Sequence, residues 1–250
     1  KYNKDNIAIN ENRTETQKRQ LEYLLKSGDL NISNFIRMIN FTISQSQKNE
    51  NIKILDYGGG SGQFAKVCKN IFPYSEIYIT DLYDDKLLDD FKKYNNQIKF
   101  KEFENNDVKF DFIFLNDVFE HMSNPLKVLK LLKKKLKNKN SKIFIDTPKV
   151  FWIYYFFSHI NLYIYRKILN GTIDQDHQQI WTKKSFYLAI KNSDLNVEKY
   201  KELTEFTQPA PFYLDAMKIE NIFIRLLGKA FYLLAPILAR NKIISVLKNN

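Results

Sequence analysis

Four of the chain's seven glycines fall within positions 58–62, and this cluster constrains the fold more than any other feature. It follows a short apolar run, reading Ile54-Leu55-Asp56-Tyr57-Gly58-Gly59-Gly60-Ser61-Gly62. A strand that delivers glycines straight into a helix leaves backbone N–H groups unblocked by side chains. It also lets a ligand approach the main chain closely, beside a helix N-terminus. The helix is expected over 63–71, halted near Pro73, and a second strand over 76–80. That strand ends at Asp81, nineteen residues beyond Gly62, where a carboxylate can accept hydrogen bonds from both hydroxyls of a ribose.

The alternation of strand and helix continues downstream. Residues 110–115 form a nearly continuous apolar run, as in a strand buried on both faces. Pro125 opens a helix with Leu126, Leu129, Leu132 and Leu136 on one face, and 142–146 is the next buried strand. Such an order implies a parallel sheet with right-handed crossovers. The first fifty residues read as helical: Leu21, Leu24 and Leu25 share one face, and Ser33 is placed to cap a second helix carrying Phe35, Ile36, Ile39 and Ile43. A polar linker, 45–51, follows. After Pro148 the pattern is less regular. Residues 150–165 are crowded with aromatic side chains, Thr182 caps a helix reaching Ile190, 195–200 reads as a strand, and 219–248 reads as helix. The expected division is a helical cap at 1–50, a core at 51–205 with an aromatic insert at 150–170, and a helical tail at 206–250.

Two nucleotide cofactors use a loop of this kind. Gly60, Gly62 and Ala65 satisfy the dinucleotide fingerprint in its Ala-tolerant form, which points to NAD. Asp56 points instead to S-adenosylmethionine, because a carboxylate at the strand end repels a pyrophosphate but can pair with the ammonium of a methionine moiety. The downstream residues decide. Asp56-x-Gly58-x-Gly60-x-Gly62 followed by Asp81 resembles motifs I and II of class I methyltransferases. Phe110-Asp111-Phe112-Ile113, then Asp117-Val118-Phe119-Glu120-His121 and Pro125, resembles that superfamily's fourth strand and its acid-x-x-Glu-His turn. Asp146-Thr147-Pro148 resembles the end of its fifth strand. The resemblance spans 52–200 and is nearest to O-methyltransferases of the ubiquinone-biosynthesis type.

The resemblance implies a doubly wound, mainly parallel, Rossmann-like α/β sheet, with N-terminal capping helices and a C-terminal helical tail. It implies S-adenosylmethionine as cofactor and in-line displacement at the sulfonium methyl. Asp56, Tyr57, Gly58, Gly60, Gly62, Asp81, Leu82, Asn116 and Asp117 are then the expected cofactor-binding residues. Tyr57 is bulkier than the usual residue there, and either stacks on the cofactor or packs in the core. Glu120 and His121, just past the fourth strand, fall where ligands of open α/β folds sit, and His121 suits a base that takes a proton from an acceptor hydroxyl.

A similar acid-x-x-Glu-His set binds a divalent ion in relatives that methylate ubiquinone precursors or the 3′ ends of small RNAs. In the RNA enzymes a further histidine ahead of Trp-Thr completes the site, and His177, Trp181 and Thr182 are similar here. A metal at Asp117, Glu120, His121 and His177 is therefore a secondary expectation, since Glu-His turns also line acceptor pockets in metal-free relatives. On the primary reading, the catalytic residues are His121, Glu120 and His177 and the site holds no metal.

Charge and composition bear on partners. The 250 residues carry a net charge of +11, which suits phosphates of nucleic acid or of an anionic membrane, but Lys, Asn and Ile crowding also marks an AT-rich genome. A single cysteine, Cys68, excludes an internal disulfide and a thiolate zinc cage, so a reducing cytoplasm is the default compartment. The chain opens on Lys1 rather than Met, so residues are expected ahead of it, and 1–19 shows no apolar signal core.

The tail has apolar residues at helical spacing with Arg225 and Lys229 opposite, a pattern shared by a helix docked on the core, a dimer contact and an interfacial membrane helix. Docking is the default; peripheral contact with the inner face of a membrane is the second reading. The expected acceptor is a small hydroxylated molecule, a glycan precursor as in cell-surface polysaccharide modification, or a lipid-linked intermediate. The alternatives are metal-dependent 2′-O-methylation of RNA and a non-catalytic cofactor-binding partner subunit.

Overall fold

A computed structural model describes residues 30–44, 46–47, 50–60, 62–82, 96–150, 177–205, 210–216, 220–238 and 240–249. The elements are helix α1 (Leu30–Thr42), β1 (Lys53–Tyr57), α2 (Gln63–Ile71), β2 (Glu76–Thr80), β3 (Asn96–Gln97), α3 (Phe100–Phe103) and β4 (Phe112–Asn116). A 3-10 turn (Phe119–His121), α4 (Pro125–Lys135) and β5 (Lys142–Pro148) follow. The chain then forms α5 (Lys183–Asn192), β6 (Leu195–Leu203), α6 (Ala210–Ala216), α7 (Ile222–Leu238) and β7 (Lys242–Asn249). One seven-stranded sheet takes the order β3-β2-β1-β4-β5-β7-β6. It is parallel from β3 to β5, and only β7 runs against its neighbours. The doubly wound α/β expectation is met.

Strand periodicity explains the layers. Alternate residues point to opposite faces, so Leu55, Ile113, Leu115, Ile143 and Ile145 join one core with Leu129 and Leu132 of α4 and Phe186 and Ile190 of α5. Ile54, Phe112, Phe114 and Phe144 join a second core on the other face, with Met38 and Ile39 of α1 and Phe64, Ala65 and Cys68 of α2. The sheet is thus buried on both sides, which accounts for apolar runs without alternation in β1 and β4.

Several local expectations hold. Pro125 opens α4, and Asn124 caps it by accepting from the Lys127 N–H. Thr182 caps α5 in a reciprocal box with Ser185. Two others are corrected. Helix α1 begins at Leu30, so Ser33 lies within it; packing of Met38, Ile39 and Ile43 against the sheet supports the helix independently of that cap signal. The tail expected as helix throughout 219–248 is helical over Ile222–Leu238 and then returns as β7 between β5 and β6. Ile243, Ile244, Val246 and Leu247 are fully buried there, and the partners that make this run a strand lie far away in sequence. The sheet therefore extends past 205, to Asn249. Leu21, Leu24 and Leu25, and the aromatic insert from Phe151, lie outside the described residues.

Candidate cofactor and acceptor site

The chain direction reverses its crossover side between β1 and β4, and open α/β sheets bind ligands at the carboxyl ends of such strands. Both candidate clusters lie there. Gly58, Gly60 and Gly62 all adopt positive φ (77°, 52° and 78°), which L-residues rarely do. Gly62 stands at the N-cap of α2 and supplies no side-chain cap, and of the first-turn N–H groups that of Ala65 is taken by Asp56 from beneath. A Cβ at Gly58 would fall 2.6 Å from Val118, so the glycine loop and the turn after β4 touch. At Gly60 a Cβ would meet nothing within 4 Å, which leaves that part of the loop open. Asp81 is tied to the loop: its Oδ2 accepts from the Gly60 N–H at 2.9 Å. Leu82, next in sequence, is exposed.

The two residues ahead of the glycines face opposite ways. Tyr57 points into the α4 side of the sheet and packs against Phe100 and Phe103 with ring centroids 6.1 and 5.4 Å away. Of the two readings of its ring, core packing is the one found, and burial pushes its phenol up to about 12. Asp56 points to the α2 side, buried beneath the loop, where it accepts from the Ala65 N–H. A Cβ on Gly59 would lie 2.6 Å from its Oδ2, an atom with no hydrogen-bond partner among the described residues. Burial, and then the charge of Asp81, push this carboxyl up to about 7.

The second cluster surrounds Glu120. Its carboxyl is buried and accepts from the Thr147 hydroxyl at 3.0 Å through Oε2. Its Oε1 faces two imidazoles, with His177 Nε2 at 3.9 Å and His121 Nε2 at 4.0 Å. The imidazoles meet edge to face, centroids 4.8 Å apart. Residues far apart in sequence come together because the Gln178 and Gln179 N–H groups both donate to the Glu120 carbonyl at 2.9 Å. Trp181 then stacks on Phe119 at 4.6 Å, fixing the segment from the other side. Burial, reinforced by the charge of Asp117, holds the Glu120 carboxyl well above the ordinary glutamate range.

Asp117 joins a different group from the one expected. It follows β4 at φ 51°, and its carboxylate takes an ion pair with Lys242 Nζ at 2.8 Å. The same ammonium lies 2.9 Å from Asp146 and 3.2 Å from Glu205, and Glu205 also binds Arg37. Burial alone would lower the Lys242 pKa, but Asp117 and Asp146 outweigh it and hold the ammonium above the ordinary lysine range. Asp146 rises to about 6, burial prevailing over Lys242. Sequence reasoning missed Lys242, Glu205 and Arg37. The one available signal was the run Ile243-Ile244-Ser245-Val246, three of whose four residues are β-branched, which reads as a strand starting at that lysine.

S-adenosylmethionine is tested by the polar atoms the fold leaves open. Asn116, half-buried at the carboxyl end of β4, has its Nδ2 and Oδ1 enclosed, and neither is hydrogen-bonded among the described residues. With the start of α2, which Gly62 leaves without a side-chain cap, and the open side of Gly60, this is a cradle that the cofactor fits. Residues 31–200 match the methyltransferase domain family, and the chain belongs to it. It is an S-adenosylmethionine-dependent methyltransferase. In structure it is similar to such an enzyme from Archaeoglobus fulgidus, with 19% identity, a TM-score of 0.52, and 92% of this chain and 98% of that one covered. A cyclopropane synthase, MmaA2, from Mycobacterium tuberculosis aligns at TM-score 0.60 and 12% identity, covering 87% of this chain and 84% of that one. A TehB-like methyltransferase from Corynebacterium glutamicum aligns at TM-score 0.55 and 14% identity, covering 95% and 98%. At such identities these likenesses speak to fold alone. No curated protein matches the sequence.

Proposed function

We propose that the chain methylates a hydroxyl oxygen of a small, glycan-precursor or lipid-linked acceptor, with His121 as the base. The observation that supports this reading is the pair of imidazoles set around the buried Glu120 carboxyl, 3.9 and 4.0 Å from its Oε1, on the turn that touches the glycine loop. Bound cofactor supplies an electrophilic methyl group on a sulfonium. The open side of the loop at Gly60 and the start of α2 would receive its amino-acid end. Asp81 and Leu82 would hold the nucleoside part of the cofactor, Asp81 by accepting from its ribose hydroxyls, and Asn116 and Asp117 would hold the methionine part. Asp56, buried beneath the loop, holds that loop in shape. The acceptor hydroxyl donates to His121, and as the oxygen–carbon bond forms and the carbon–sulfur bond breaks, its proton passes to the imidazole. Glu120 orients that ring and can take up part of the charge it gains, and His177 holds the other side of the same carboxyl.

One feature favours a second reading: ligand atoms of Glu120, His121 and His177 all lie within 4.8 Å of one another. A divalent cation held by these three residues would act as a Lewis acid on the acceptor hydroxyl. Asp117, paired with Lys242, would not take part.

The test is methyl-label transfer from S-adenosylmethionine into a source-cell extract divided into RNA and glycan-plus-lipid pools. Label in the second pool, reduced about a hundredfold by His121→Ala with cofactor affinity retained, is the expected result. Label in RNA overturns the acceptor class, and loss of labelling in EDTA with recovery in Mn²⁺ or Mg²⁺ moves the mechanism to the metal reading. Labelling only after adding a second protein would make the chain a partner subunit.

A further inference from the structure

We infer that helix α7 is an in-plane anchor that seats this enzyme on an anionic lipid surface, at the same sheet edge as its active site. The inference stands independently of the acceptor's identity. Helix α7 is turned the wrong way round for a helix that docks through its apolar stripe. It approaches α6 through Gly228, where a Cβ would lie 2.6 Å from Leu214, and through Arg225, whose guanidinium pairs with Asp215 at 2.8 Å. At about 100° per residue, Arg225, Gly228 and Tyr232 share that inward face. The opposite face carries Ile222, Phe223, Leu226, Leu227, Leu233 and Leu234, and it points outward. Ile222 is 77% exposed, Leu233 76% and Phe223 66%. An apolar stripe this continuous marks an interaction surface rather than ordinary surface scatter.

Charge selects the occupant. Residues 221–250 contain no acid, and although Lys242 is buried and Arg225 faces α6, two of their cations, Lys229 and Arg240, reach solvent in a chain of net charge +11. Lys229 is exposed on α7 at the border of the stripe, and Arg240 is exposed just past the helix end. Apolar side chains bordered by cations suit the headgroup boundary of an anionic bilayer. A spanning role is out of reach, because no helix among the described residues is long and apolar enough to cross a membrane. Topology sets what the anchor does. Leu203 and Pro148 both pair with Lys242, so β6 ends and β7 begins at the carboxyl edge of the sheet. The α6–α7 excursion therefore leaves and rejoins the fold at the edge that carries the glycine loop and the Glu120 turn. An enzyme seated on α7 would hold its acceptor site close to the lipid surface.

Flotation of the full chain with vesicles of equal parts phosphatidylcholine and phosphatidylglycerol tests this. Binding is expected to these vesicles, weaker binding to phosphatidylcholine alone, and an approximately hundredfold loss in Phe223→Glu/Leu227→Glu. Both side chains are exposed, so the melting temperature of the variant should match the parent and separate lost binding from lost fold. No flotation on anionic vesicles overturns the inference. Flotation that the double variant leaves unchanged also overturns it, as would a concentration-dependent dimer, dissolved by the same variant, in a chain that ignores vesicles.

Discussion

The two halves of the sheet are built on different physics. From β3 to β5 the strands are parallel and joined by local crossovers, and β1, β4 and β5 are apolar on both faces, so each element is specified by residues near it in sequence. From β5 to β6 the sheet is completed by a strand from the far end of the chain, and that strand brings in a buried ammonium. Lys242 sits among Asp117, Asp146 and Glu205, and so links the ends of β4, β5 and β6. The first half carries the glycine loop at its strand ends; the second ties its strand ends together by charge pairing. A local motif can be varied residue by residue, whereas a shared counter-ion ties several strands to one side chain.

Removing that counter-ion should give the largest effect. Lys242→Met keeps much of the apolar stem but leaves the fully buried Asp146 without its close cation, while Glu205 keeps Arg37 and Asp117 is partly solvated. Breaking a buried pair from one side costs about 3–5 kcal/mol, which urea unfolding at neutral pH would read directly. The loss should shrink in acid, as those carboxyls take up protons. A loss below about 1 kcal/mol would mean that β7 is held by its apolar side chains alone, and the contrast between the halves would collapse.

Asp56 provides a sharper cut, since it lies in the legible half yet behaves like the other. Its carboxyl rises to about 7 in the folded chain, from an ordinary value near 4, burial being the first cause. A raised acid contributes stability that is full below its unfolded pKa and is lost as pH rises through the folded one. The parent chain should therefore lose up to a few kcal/mol between about pH 4 and pH 8 that Asp56→Asn does not lose. Equal slopes in paired urea titrations would refute the burial argument. Binding separates its two roles. If Asp56 only supports the loop, calorimetry should show Asp56→Asn binding S-adenosylmethionine within a few-fold of the parent, while Asp81→Ala weakens it by tenfold or more.

What could be read from sequence follows the same division. The glycine loop, Asp81 and the Glu120-His121 turn were legible because each is a contiguous signature in which a strand end meets a helix start. The meeting of His177 with Glu120 came only through the resemblance, since nothing local tells that Gln178 and Gln179 will bond the Glu120 carbonyl. The fate of Asp117 was not legible, because its partner, Lys242, is 125 residues away. The tail misled for a physical reason. Helical spacing persists through Leu238, and eight further residues of similar composition become a strand only because β5 and β6 leave a gap between them. The outward turn of α7 was equally hidden, as amphipathic spacing identifies an apolar face but not what it faces.

The smallest expected effect tests the legible end of this scale. Thr182 was identified as a cap from sequence, and its hydroxyl accepts from the Ser185 N–H at 3.0 Å while the Ser185 hydroxyl accepts from the Thr182 N–H at 3.0 Å. Both bonds are local, so Thr182→Ala should cost about 1 kcal/mol, the usual worth of an N-cap, with no change in cofactor affinity. Five residues upstream, however, stands His177, and Trp181 between them stacks on Phe119. If the cap also fixes that segment, the variant would lose methyl transfer out of proportion to stability, and kcat would fall while KM for the cofactor held. A fall in stability alone would keep the capping box a local device, separate from the long-range contacts that assemble the Glu120 cluster.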